Sequence, residues 1–99
     1  MKTNFFFYDQ YQNKSQIEKI YHKYKIKDAS LYVHSFNRQN HKIIFKPVNK
    51  TLLTGKLVEF SLPLDQCLYQ INLLHANNNK KYTIKSILID SKWVYLLHR

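Results

Sequence analysis

Residues 70–89, QINLLHANNNKKYTIKSILI, decide how this chain is read. The stretch opens as the end of an apolar helix, because Leu64, Leu68, Ile71 and Leu74 recur at helical spacing with Cys67 beside them. It then breaks into three asparagines and two lysines. From Tyr82 to Ile89 it resumes as a strand. His75 stands where the helix gives way. One reading makes it a polar helix-end residue in favourable contact with the last carbonyls. The other makes it a working residue at the mouth of a site.

Upstream, Ser61 can cap this helix, with Pro63 in its first turn, which gives a helix over 62–75. Residues 51–60, TLLTGKLVEF, read as a strand whose Gly55 implies a bulge or a close backbone approach. Downstream, Asp90-Ser91-Lys92 is a turn and Trp93 to Leu97 a last strand. At the other end of the chain, residues 4–8, NFFFY, are apolar on both faces, as a central strand requires. Asn13 to Ser15 makes a polar break, and Ser15 followed by Glu18 is a capping-box signature. Ile17, Ile20, Tyr21 and Tyr24 then fall on one face of a short helix. Residues 29–36 and the run KIIF at 42–45 read as strands, the second either ended by Pro47 or placed by it at an edge. The order is β α β β β α β β. Adjacent strands suggest antiparallel pairing, and the helices cover the sheet, so the class is α+β.

Ninety-nine residues make one domain, 1–99. With 44% hydrophobic and 15% aromatic residues the chain can build a core. A single glycine excludes phosphate-cradling glycine loops. A single cysteine, Cys67, excludes an internal disulfide framework and a cysteine-based zinc cluster. His22, His34, His41 and His98 lack metal-ligand spacing, so no metal and no cofactor are expected. No serine sits in a nucleophile elbow. No segment approaches the roughly 20 apolar residues of a membrane span, and the expected location is the cytoplasm.

The charge is large: 16 Lys+Arg against 6 Asp+Glu, net +10. Such a balance suggests anionic partners, nucleic acid first. Only Arg38 and Arg99 are arginines, however, and lysine gives diffuse phosphate affinity rather than base reading. Lys19, Lys23, Lys25 and Lys27 read as the solvated face and exit of the first helix, or else as a phosphate-contacting stripe. Tyr21, Tyr24, Tyr32 and Phe36 would then be base-stacking platforms beside them, or simply core.

The order of elements and certain residues within it resemble the gamma-glutamylcyclotransferase-like family. That family opens on an apolar strand leading into a Tyr-Gly-Ser/Thr-Leu loop; here the strand is FFFYDQY, with Tyr8 at the tyrosine. Its middle strand carries a valine- or leucine-x-Gly-x-Leu-Tyr-like pattern, matched by LTGKLVEF. Its second helix ends in a Leu-Asp-x-Leu-Glu-Gly-like box, where this chain reads Ile71-Asn72-Leu73-Leu74-His75-Ala76. A strand of the form Y-x-R-x-x-V-x-V follows, matched from Tyr82 to Ile89, and the family often closes on an aromatic pair, here Trp93 and Tyr95. The likeness spans nearly the whole chain. It implies a small mixed or antiparallel sheet closing toward a barrel, and a ligand-facing set of Tyr8, Asp9, Gln10 and Tyr82.

The departures fall on the chemistry. Active members hold the substrate through backbone N–H groups of the first loop, and a glycine permits the approach. Asp9 replaces it, and its carboxylate would repel the substrate's own. Their helix-end glutamate is the base on the substrate's α-amine, which attacks the γ-carbonyl to give 5-oxoproline. His75 takes its place and Ala76 the following glycine's. The expectation is a domain of this type without the family's catalysis, binding a small ligand or a protein partner. One alternative is an active enzyme with His75 as an unorthodox base. Another is a basic nucleic-acid-binding module in which the resemblance is accidental; weak, salt-sensitive binding without sequence preference is expected of so basic a chain in any case.

Overall fold

The structure is a computed structural model. It describes residues 2–8, 12–33, 35–37, 42–44, 51–74, 83–89 and 91–98. The elements are β1 (Thr3–Tyr8), α1 (Lys14–Ile20), β2 (Tyr24–Val33), β3 (Ser35–Asn37), β4 (Lys42–Ile44), β5 (Thr51–Phe60), α2 (Leu64–Leu74), β6 (Thr83–Ile89) and β7 (Lys92–His98). Five strands form one mixed sheet in the order β2-β5-β1-β7-β6, and β3 and β4 form a separate hairpin. The fold is α+β with two helices.

β1 lies at the centre, as its apolarity on both faces requires. Phe5 and Phe7 point to one side and Phe6 and Tyr8 to the other, and all four are buried. The first face carries both helices: Ile17 and Ile20 of α1 and Cys67 and Ile71 of α2 meet Phe5, Phe7, Val58 and Phe60. Phe5 stacks on Phe7 at 5.5 Å, and both present edges to Phe60. The second face gathers Val33 from one edge strand, Ile87 and Ile89 from the other, and Ile43 from the hairpin around Phe6 and Tyr8. Each such side chain contributes about 1.5–3 kcal/mol on leaving water. The sheet is open, with β2 and β6 as its two edges.

The sheet is mixed, and its one parallel pair joins strands far apart in the chain. β1 runs antiparallel to β5 but parallel to β7, with Phe5 opposite Tyr95. The cause is topological. The chain crosses from β5 through α2 to β6, which hydrogen-bonds to β7 rather than to β1. The β6–β7 hairpin turns through Ser91 at φ 64, so β7 enters the slot beside β1 running parallel to it.

Local boundaries also differ from expectation. Asn13, not Ser15, caps α1: its Oδ1 accepts from the Ser15 N–H at 3.0 Å and from the Ser15 hydroxyl at 2.9 Å. Glu18 does not close a capping box but accepts from the Tyr24 hydroxyl at 2.9 Å. α1 stops at Ile20, and Tyr24 begins β2 opposite Phe60. The aromatic contact with Phe60, centroids 6.3 Å apart, offers Tyr24 more in the strand than another helical turn would. α2 begins after Pro63, whose carbonyl accepts from the Cys67 N–H at 3.0 Å, so Pro63 holds the cap position assigned to Ser61. Cys67 and Ile71 form the centre of its buried face, with Leu64, Leu68 and Leu74 flanking them half-buried. Gly55 makes a close approach and no bulge. The registers through it are unbroken, and a Cβ there would collide with the Phe7 carbonyl oxygen and stand 2.9 Å from the Phe6 ring.

Candidate functional site

Two of the segments next to the candidate residues lie at one end of the sheet. β1 finishes there at Tyr8, opposite Gly55. β6 begins there, since Thr83 pairs with His98 at the end of β7, which is parallel to β1. α2 starts at the opposite end, where the Thr3 hydroxyl donates to the Leu62 carbonyl at 2.7 Å. It must carry the chain back toward the start of β6. Asp9, Gln10, His75 and Tyr82 themselves lie outside the described residues.

Tyr8 is described, and its ring is structural. It is 2% exposed and belongs to the cluster on the face away from α2. Its hydroxyl donates to the Leu97 carbonyl at 3.2 Å. A buried phenol with a backbone acceptor ties β1 to β7.

Beside the end of β1 lies an open recess of about 410 Å³ lined by Gln12, Asp28, Ala29, Ser30, Thr54, Gly55 and Lys56. The β2–β5 register builds it by setting Ala29 against Gly55 and Ser30 against Thr54. Ser30 and Thr54 are small and share a face with Asp28 and Lys56, whereas Ala29 packs on the opposite face and Gly55 lies close to Phe7. Asp28 and Lys56 face each other across the strands and form an ion pair. The recess offers a carboxamide, two hydroxyls, a carboxylate and an ammonium. Such a set can hold a small polar ligand by hydrogen bonds. Its signal in the sequence, polar residues at the alternate positions Asp28 and Ser30 and at Thr54 and Lys56, becomes legible only once the register is known.

Cys67 is not a candidate nucleophile. It is fully buried, and its thiol is pushed up to about 11, first by burial. Its Sγ lies 3.7 Å from the Leu62 carbonyl oxygen, to which it donates. No group of three or more metal-ligating side chains occurs among the described residues. No described helix is long and apolar enough to cross a membrane.

Lys19, Lys23, Lys25 and Lys27 are all exposed, but they do not form the face and exit of one helix. Only Lys19 lies on α1. Lys25 and Lys27 belong to the edge strand β2, on the same side as Ala29 and Leu31 and away from the helices. Tyr21 and Tyr24 pack half-buried against the helical face, whereas Tyr32 is exposed. Tyr69 and Trp93 are exposed as well, and the sequence reading had not set them apart as surface aromatics. The Phe36 side chain lies outside the described residues.

The chain matches no protein-family model, no curated protein and no solved structure.

Proposed function

We propose that this chain is a gamma-glutamylcyclotransferase-like domain that has lost the family's catalysis and serves as a small binding or interaction module. The observation that carries the reading is the convergence at one end of the sheet. The exit of β1 and the start of β6, two of the segments in which the sequence resembles the family, lie there. The curl toward a barrel belongs to the same reading. It is supported by one cluster that holds Val33 of β2 together with Ile87 and Ile89 of β6, the two edges of the sheet.

Asp9 and His75 set the chemistry. A carboxylate where the family has an anion-cradling glycine works against a substrate carboxylate. The adjoining recess with Gln12, Ser30, Thr54 and the Asp28–Lys56 pair then offers a polar ligand a different set of partners. Incubating the protein with several gamma-glutamyl amino acids should release no 5-oxoproline. Turnover that disappears in His75→Ala would instead establish the active enzyme with His75 as base.

A second reading, nucleic-acid binding, is favoured by exposed aromatics on a chain of net +10: Tyr32, Tyr69 and Trp93 are the kind of surface on which bases stack. Binding to DNA and RNA should fade between about 50 and 200 mM salt as counterion release weakens. Sub-micromolar affinity that persists at physiological salt for one sequence would replace the first reading with this one.

A further inference from the structure

Charged side chains divide unevenly between the two sides of the sheet. The registers set Lys27 and Lys85 at the two ends of one row across all five strands, Lys27–Leu57–Phe6–Leu96–Lys85, whose middle three residues are buried in the cluster away from the helices. Alternation along β2 puts Lys25 on the same side, and Lys92 shares it as the partner of Ile89. Lys2 reaches it through an ion pair with Glu59, which stands beside Lys25 and is the single carboxylate among the described residues of that side. All five lysines are exposed. The helical side is balanced instead: Lys14, Lys19 and Lys56 stand against Glu18, Asp28 and Asp65. The exposed aromatics keep to that helical side, because Tyr32 alternates with Leu31 and Val33, Trp93 precedes Val94, and Tyr69 lies on α2.

We propose that the lysine-bearing side of the sheet docks on the phosphate backbone of a nucleic-acid duplex without reading its bases. This rests on the nucleic-acid reading above and changes what is contacted, from bases to backbone. Sites for single strands interleave cations with aromatic platforms. Here the two kinds of side chain stand on opposite sides of the sheet. Reading bases in a groove takes a helix or a two-stranded ribbon that enters it and side chains that fork onto base edges. Lysines around a buried apolar row supply charge alone. A duplex carries one negative charge per roughly 1.7 Å of its axis, so lysines spread over several strands each meet a phosphate without a fixed register. The Lys2–Glu59 pair is solvent-exposed at the lysine and costs little to exchange. Lys27 and Lys85 make contacts of their own within the chain, and an ammonium with several donors keeps others for a phosphate.

Fluorescence anisotropy of a labelled short DNA duplex, titrated with the whole chain between about 50 and 200 mM salt, tests this. The plot of log affinity against log salt should fall with a slope of about −4, near −0.9 for each of four or five phosphates. Lys25→Gln and Lys92→Gln together should flatten that slope by about two and weaken every duplex sequence alike. The same positions changed to arginine should keep the slope, since charge alone is used. Lys14→Gln with Lys19→Gln, on α1, should leave it unchanged. Equal flattening by the α1 pair and the sheet pair would reveal diffuse attraction and overturn the assignment, while nucleic-acid binding itself would stand. A single strand that binds more tightly than the duplex and weakens on Tyr32→Ala or Trp93→Ala would also overturn it and move the contact to the helical side. Vesicles of anionic phospholipid that bind through Lys25 and Lys92 where the duplex does not would give this side to a lipid surface instead. A chain that binds neither duplex nor single strand across the range overturns both this proposal and the reading on which it rests.

Discussion

The two helical crossovers were read from the sequence with unequal success, and the inequality is instructive. β5–α2–β6 was expected at 51–60, 62–75 and 82–89 and is found at Thr51–Phe60, Leu64–Leu74 and Thr83–Ile89. In β1–α1–β2 the helix ends at Ile20 instead of continuing through Tyr24, and β2 starts at Tyr24 instead of residue 29. α2 has eleven residues and an uninterrupted helical period. α1 has seven, too few to be stable on their own, so its length is set by what its neighbours bury. Tyr24 satisfies the helical period from Ile17 and also the strand alternation with Ile26. Contact with Phe60 decides between them.

Substitutions can break or sharpen this comparison. The largest effect is expected where the crossovers share β5. Gly55→Val should cost about 3 kcal/mol or more and abolish a cooperative thermal transition, because the Phe7 carbonyl is rigid backbone. A variant that unfolds like the wild type would mean that β1 and β5 do not approach this closely.

Next comes the α2 face. Ile71→Ala should cost about 2–5 kcal/mol in denaturant unfolding, and Leu68→Ala only about 1–2, since Ile71 is fully buried and Leu68 flanks the core half-exposed. The reverse order would restore a helical face centred on Leu68.

The α1 cap gives a smaller effect. Asn13→Ala should cost about 1 kcal/mol and Ser15→Ala a few tenths, because Asn13 supplies the acceptor and Ser15 only donates to it. Equal or inverted costs would return the cap to Ser15. Smallest is the Asp28–Lys56 pair, with a coupling of about 0–1 kcal/mol in a double-mutant cycle, since Asp28 is largely exposed. A larger coupling would show the recess to be drier than its open form implies.

The candidate site divides along the same line. The positions to look at, from Tyr8 to Gln10, at His75 and at Tyr82, came from the order of motifs along the chain, which is a local property. The direction of the Tyr8 side chain did not. Alternation places Tyr8 with Phe6, but the sequence does not say which face takes the helices. The structure puts α1 and α2 on the face of Phe5 and Phe7, which leaves Tyr8 in the opposite cluster bonded to Leu97. The recess was illegible because it exists only between two strands, where Ala29-Ser30 faces Thr54-Gly55.

By itself, the sequence determined that β1 would be central, that 51–60 and 82–89 would be strands with a helix between them, and that Cys67 would lie on the apolar face of that helix. Each of these rests on the periodic burial of neighbouring residues, which a short window contains. Tertiary structure decided that β7 lies parallel to β1, that α1 yields to β2 at Tyr24, that Asn13 is the cap, and that β6 is left as an edge. Those outcomes depend on which distant residues compete for the same buried surface. Phe60, 36 positions from Tyr24, settles one of them, and no local pattern encodes that contact.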